Sequence, residues 1–394
     1  MNPRSCLIAF GLSSLSVAGA FGGEPRFEPQ TLDPGVEIGY GLAIGDVDGD
    51  GKQDILLADK SQYVWYRNGD WQRRVLVDHV TLRDNVCLAV ADLDGDGPVE
   101  IAAGAQWNPG ETSDASQSGS VHFLMRPSKG EGPWRVVTLP HDPTIHRMRW
   151  VRDAEGKNHL VVLPLHGIGN KSGAGENGVQ VSVYTPPAPD RWDDPSAWTI
   201  QVIDRSLHQT HNFDDAGSDL IIGGAEGIVR RAVSDAGSDD RRIIRPENSH
   251  PPTKGVGEVR LAKAGFIAAI EPMHGTDLVL YEEKVGDPGQ WTRTLLTDGL
   301  VDGHALAVAD LLGTGREQIV AGWRKPDASG KVGIRLYQRG ADGAWKFHPI
   351  DDNTMACEDL KVADLDGDGR PEIIASGRAT KNLIVYWNKS PRPQ

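Results

Sequence analysis

Three stretches of the chain set acidic residues at alternate positions, a spacing that suits a hard cation. They are Asp46, Asp48 and Asp50 with Asp54, then Asp92, Asp94 and Asp96 with Glu100, then Asp364, Asp366 and Asp368 with Glu372. Carboxylates at loop positions 1, 3, 5 and 9, with a backbone carbonyl at 7, match the oxygen preference of calcium, and the interleaved glycines let the chain turn sharply. One such loop alone would be an acidic surface turn. Three at equivalent places point to calcium, in about three structural sites. A fourth copy, Asp310 to Gly322, has Leu312 and Thr314 where two aspartates would stand. It is expected to keep the turn without the ion.

The histidines suggest a different chemistry. Of the 12 in the chain, six stand in one class of position: His146, His166, His208, His211, His274 and His304. Neutral imidazoles favour borderline metals over calcium, and three of them with an open position leave room for water or a substrate oxygen. His146, His211 and His274 are the candidate ligands for one divalent transition metal such as zinc or manganese. His166 and His304 are ligands or acid/base groups. Tyr40, Arg149 and Glu358 are further catalytic candidates. Trp107 and Trp323 offer faces for sugar stacking, with plain core packing as the competing reading. Asn212, Glu271 and Asp359 complete the substrate-binding candidates.

The elements that must bring these residues together are short strands. Each acidic loop joins two apolar runs of strand length, so each reads as a hairpin with a metal in its turn. The unit recurs at roughly 40- to 60-residue spacing with about four strands each, the signature of a β-propeller. Seven units can be placed. Units 3 to 5 lack the acidic loop: unit 3 turns at Asp153 to Lys157, and unit 4 has a shortened turn at Asp214 to Ser218. Most units end in an outer strand with an aromatic or basic start and an acidic end, such as Trp198 to Asp204. Unit 7 lacks one, while Phe27 to Asp33 has that shape and no unit of its own. The N-terminal strand is therefore expected to complete the last blade and close the ring. Because the loop joins the first strand to the second, residues before the first and after the second lie at the opposite end. Those are the positions of the six histidines, which places them around the mouth of the central channel.

Composition agrees with this architecture. With 47 Gly, 25 Pro and 11 Trp in 394 residues, and no long helical period, the chain reads as all-β. A net charge of −14 argues against a nucleic-acid partner. Residues 1–20 read as a signal peptide: Arg4, an apolar core from Cys6 to Val17, and a small-residue cleavage site ending at Ala20. A secreted or periplasmic protein is expected, with residues 21–394 forming one propeller domain. No small-residue lipobox precedes Cys6 and no other stretch could span a membrane, so no membrane anchor is expected. Cys87 and Cys357 are expected to be free and buried rather than bridged.

The acidic units resemble FG-GAP/VCBS repeats over most of the chain, a resemblance that implies a propeller and little about function. A sharper resemblance lies in His146-Arg147-Met148-Arg149-Trp150, Pro164-Leu165-His166-Gly167, His211-Asn212-Phe213, Glu271-Pro272-Met273-His274-Gly275, Asp302-Gly303-His304-Ala305-Leu306 and Met355-Ala356-Cys357-Glu358-Asp359-Leu360. Together these look like the propeller domain of the aldos-2-ulose dehydratase family. That resemblance implies a metal-dependent lyase that removes water from a keto-sugar by β-elimination. The metal would polarise the ketone, His166 or His304 would take the α-proton, and Glu358 or Tyr40 would protonate the leaving hydroxyl. Arg149 would orient the substrate. The same chemistry could cleave a 3-keto-glycoside. Two rivals remain: a polysaccharide lyase on uronate-containing glycans, using His146 and His166 across one hairpin, and a non-catalytic glycan-binding or adhesion propeller.

Overall fold

The structure, a computed structural model, describes residues 24–127, 132–171, 175–234 and 241–392. The expected leader at 1–20 lies outside the described residues. Within them the chain forms seven antiparallel sheets arranged as the blades of an all-β propeller. The inner strands of blades 1 to 7 are Gly41–Gly45, Cys87–Ala91, Ile145–Arg152, Thr210–Ala216, Glu258–Leu261, Gly303–Ala309 and Cys357–Ala363. The second strands are the apolar runs beside them, such as Asp54–Ala58 and Glu372–Gly377, buried at every position. Outer strands such as Thr199–Asp204 are mostly exposed at their start. Burial therefore falls from the second strand outward, as expected for sheets packed face to face.

The core lies between blades. Blades 6 and 7, for example, meet through Ala305, Ala307, Val320, Leu336, Leu360, Ile373 and Tyr386. Each fully buried aliphatic side chain there contributes about 1.5–3 kcal/mol. Cys87 and Cys357 are free and buried in two of these interfaces, as expected.

The ring closes as the sequence indicates. Phe27–Asp33 pairs antiparallel with Asn382–Asn388, from Phe27 opposite Asn388 to Asp33 opposite Leu383. Blade 7 is thus four strands drawn from both chain ends, and the last strand keeps no open edge. Blade 5 carries one feature not expected from sequence. The short strand Ser249–His250 adds in parallel to the outer strand Trp291–Thr297, making five.

The acidic loops share one backbone pattern. Asp46 accepts from Gly49 N and Gly51 N, both at 2.7 Å, and Asp92 and Asp364 do the same in their loops. Gly49 and Gly51 sit at φ of 78° and 80°, the left-handed region where a side chain would be strained. In the fourth copy Gly315 N still bonds Asp310, at 2.7 Å, so the turn outlives its acidic partners.

Candidate active site

The residues at the channel mouth are aimed by irregularities in the inner strands. In four blades the pairing between first and second strands slips by one residue at the mouth end. Ile145 faces Pro164 and Arg147 faces Leu163, leaving His146 as the extra residue. Gly303 faces Trp323 and Ala305 faces Gly322, leaving His304. Cys357 faces Gly377 and Asp359 faces Ser376, leaving Glu358. In blade 4 the extra residue falls at His211-Asn212. A bulge bends the strand and redirects a side chain that regular pairing would send into a blade interface. Blades 1, 2 and 5 pair regularly at this end.

Three histidines meet there. His211, His274 and His304 each offer a ring nitrogen within 4.8 Å of the others. His211 and His304 are buried, while His274, on the loop after Ile267–Glu271, is 41% exposed at its side chain. The Nδ1 of His211 lies 3.0 Å from the Glu258 carboxylate. The Nδ1 of His304 lies 2.5 Å from the Glu358 carbonyl. The carbonyl on His304 accepts, so its proton belongs on Nδ1 and its Nε2 lone pair is free at the cluster. The carboxylate beside His211 favours the same tautomer by charge, although the two atoms are not aligned for a hydrogen bond. His211 Nε2 and His274 Nε2 are 2.8 Å apart, so a proton or a cation must sit between them. Three imidazoles with two outer-partner acceptors fit a borderline divalent metal well.

Burial holds these rings neutral. It lowers His304 well below its ordinary value, helped by Arg324 and His211. Burial lowers His274 to about 3, with His211 and Arg324 adding to the shift. His211 is also lowered by burial, against the opposing pull of Glu258. Burial works against the Glu258 charge, yet the adjacent His211 ring and the Arg260 cation hold its carboxyl down to about 2. Asn212 Nδ2 donates to the same carboxylate at 2.8 Å.

His146 stands beside the triad, its ring 4.7 Å from His211 and stacked on Trp107 at 4.9 Å. Its Nε2 is buried without a hydrogen-bond partner, and burial followed by the Arg147 charge lowers it well below the ordinary range. His146, Trp107, His274 and His304 open on a cavity of about 580 Å³ that Tyr40, Glu358, Arg324 and Arg378 also line, with His211 behind them. Arg324 and Arg378 each hold one Glu358 oxygen at 3.0 Å, and Glu358 lies 4.0 Å from His304 Nε2. Tyr40 donates to Asp84 at 3.0 Å. Burial and then Asp84 push its hydroxyl up to about 12, so it keeps its proton.

Other candidates lie elsewhere. His166 is not among the residues lining this cavity. It forms a bridge to Gln209, and its backbone N bonds Thr144. His208 pairs with Glu226 at 2.8 Å. Arg149 and Asp359 line a second cavity beside the mouth, where Asp359 is tied to Lys361 and Leu42 N. Glu271 is fully buried between Thr253 and Arg293. Trp323 is a core residue whose indole donates to Lys331 O. Sequence reasoning missed Glu258, Arg147 and Asp302 as participants. Asp302 holds Arg324 at 2.6 Å and lies 3.8 Å from His274. The available signal for Glu258 was its position at the start of an inner strand, where neighbouring blades place His211 and His304.

The acidic loops assemble three further groups that could each hold a metal: Asp46, Asp48 and Asp50; Asp92, Asp94 and Asp96; and Asp364, Asp366 and Glu372. The ninth-position acids are turned partly inward. Asp54 accepts from Val47 N and Asn68 N, Glu100 from Leu93 N and Glu372 from Leu365 N. Asp368 is paired with Arg370.

Comparison with known proteins agrees with this picture at the level of the fold. Residues 29–103 match the FG-GAP-like repeat. Aldos-2-ulose dehydratase of Phanerodontia chrysosporium is 23% identical over 360 residues, which cover 83% of this chain and 37% of that protein. The chain therefore matches well under half the length of that relative. Among solved structures, a chain of the mitotic checkpoint complex superimposes with a TM-score of 0.56 at 8% identity, covering 98% of this chain and 99% of its own. A streptogramin B lyase does so with 0.55 at 11%, covering 92% and 98%. At such identities these structures share the fold alone. The chain is a seven-bladed β-propeller in which residues 29–103 match the FG-GAP-like repeat and which distantly resembles aldos-2-ulose dehydratase.

Proposed function

We propose that this protein is a metal-dependent carbohydrate lyase or dehydratase, acting by β-elimination on a keto-sugar of the aldos-2-ulose, anhydrofructose or 3-keto-glycoside type. The observation that carries the reading is the triad of His211, His274 and His304, with the Nδ1 of His304 bonded to a carbonyl and that of His211 beside a carboxylate, next to an open cavity. A zinc- or manganese-like ion held there would supply a Lewis acid for the ketone oxygen and for the charge that develops as the α-proton leaves. His146 is the base: its Nε2 is neutral and unpartnered, and its ring lies beside the triad. This moves the role away from His166, which does not line the cavity, and from His304, which joins the ligands. Tyr40, which keeps its proton, is the donor to the departing hydroxyl. Glu358, fixed between two arginines, orients the sugar hydroxyls. Trp107 positions the His146 ring by stacking.

The three acidic groups are proposed calcium sites, and export through the N-terminal leader is proposed from its sequence. The test is incubation of metal-analysed protein with 1,5-anhydro-D-fructose and aldos-2-uloses, followed by enone absorbance. Turnover is expected to require a stoichiometric transition metal and to fall by about 10²–10³ in His211→Ala, His274→Ala or His304→Ala. Turnover that survives complete removal of that metal refutes its role. Unsaturated products from uronate glycans would establish the polysaccharide lyase instead. Glycan binding without turnover, indifferent to His146→Ala, would establish an adhesion propeller.

A further inference from the structure

Beside the mouth the inner strands line a second cavity of about 300 Å³, which shares Tyr40 with it. Its charged lining is Arg147, Arg149, Lys361, Asp215 and Asp359, three cations against two carboxylates in a protein whose net charge is −14. Lys361 and Asp359 neutralise each other at 2.7 Å. That leaves two arginines and one aspartate.

Four other arginines that are buried or nearly so are each paired with a carboxylate, unlike these two. Arg231 pairs with Asp204 at 2.7 Å, Arg260 with Glu258 at 3.3 Å, Arg293 with Glu271 at 2.8 Å and Arg324 with Asp302 at 2.6 Å. Arg147 and Arg149 have no ion pair among the described residues. Arg147 Nη1 donates to the backbone carbonyl of its neighbour His146 at 3.0 Å, and Arg149 Nε to the carbonyl of Phe213 at 3.1 Å. Asp215 bonds its own turn, at Gly217 N. The two arginines alternate on one strand, so both project from the same face, toward blade 4. Each guanidinium carries five donors, and the bonds that hold these two in place leave most of those donors unused. Carboxylates act on the two guanidinium groups only from beyond ion-pair distance, Asp214, Asp359 and Glu258 on Arg149 and Glu258 on Arg147, and withdrawing cations from bulk water without direct pairing is costly. An anion in the cavity would relieve that cost.

We propose that this channel cavity is a binding site for a small oxyanion of the carboxylate or phosphate class, held by Arg147 and Arg149. Such an anion can arrive in two ways: free, through the channel, or as the acidic group of a sugar whose remainder occupies the mouth. The site rests on the two arginines and stands whether or not the lyase reading holds.

The test is calorimetric titration of the full chain at low ionic strength with sodium acetate, inorganic phosphate and sodium glucuronate. At least one is expected to bind with millimolar or better affinity. Arg147→Met and Arg149→Met are each expected to weaken that binding tenfold or more, while Arg339→Met, far from the channel, leaves it unchanged. Glucuronate binding at least tenfold tighter than acetate assigns the anion to a sugar acid, and comparable binding of acetate or phosphate assigns it to a free anion. Thermal melts of each variant check folding, and Arg149→Lys, which keeps the charge, is expected to retain part of the affinity. Absence of binding by all three anions overturns the proposal. So does binding that the two methionine variants leave intact.

Discussion

Glu258 shows how much one side chain outside the histidine cluster can govern. It is buried, lies 3.0 Å from the Nδ1 of His211, and is itself held by Asn212 and Arg260. Carboxylates in this position fix the tautomer and raise ligand basicity. Glu258→Gln is expected to weaken transition-metal affinity by about 10- to 100-fold, measured by competition with a chromophoric chelator, while the far-ultraviolet spectrum stays unchanged. A second expectation concerns pH. His146 and His304 have folded values depressed well below 6.5 by burial. The unfolded chain therefore binds more protons as pH falls below 6.5, and stability present above that value is lost on acidification. Each histidine contributes a slope of at most about 1.4 kcal/mol per pH unit. Urea midpoints of the metal-free protein should fall between pH 7 and pH 5, and less steeply in His304→Gln. A flat profile would show that these rings are not buried neutral.

At the scale of the element, hairpin turns and strand bulges divide the labour. The acidic turns lie at one end of the blades and the bulges of blades 3, 4, 6 and 7 at the other. If the turns hold calcium, each site adds about 2.7 kcal/mol at 100 times its dissociation constant. Millimolar calcium should therefore raise the melting temperature and EGTA should lower it. Asp366→Ala should remove one bound ion by calorimetry, whereas Asp310→Asn, in the copy with Leu312 and Thr314, should remove none. The bulges act on direction rather than stability. They explain why His146, His304 and Glu358 reach the channel when strict alternation of side chains would assign them to a blade face.

For the whole molecule, closure is what turns seven sheets into a site. The cluster draws His211 from blade 4, His274 from blade 5 and His304 from blade 6, so any drift between blades separates the three rings. The N-terminal strand holds the circle shut by pairing with the last strand. Deleting residues 24–35 would leave Asn382–Asn388 as an open edge. That variant is expected to self-associate by light scattering and to lose the transition-metal binding proposed for the three histidines. A monomer with intact metal affinity would show that closure is dispensable.

The sequence alone determined the repeat, the number of blades, the acidic turns and the strand that closes the ring. These depend on local patterns: alternating acids with glycines, apolar runs of strand length, and an orphan outer strand at the N-terminus. It also indicated which end of the blades carries the histidines, because strand direction follows from hairpin order. Only the tertiary structure decided which side chains meet. It placed His304 with His211 and His274, set His146 beside them, left His166 outside the cavity, and turned Trp323 and Glu271 into the core. It also sank Arg149 into the channel and recruited Glu258. The reason is physical. A one-residue bulge reverses where a side chain points without altering the apolar pattern, and distances across the channel exist only once seven blades have closed around it.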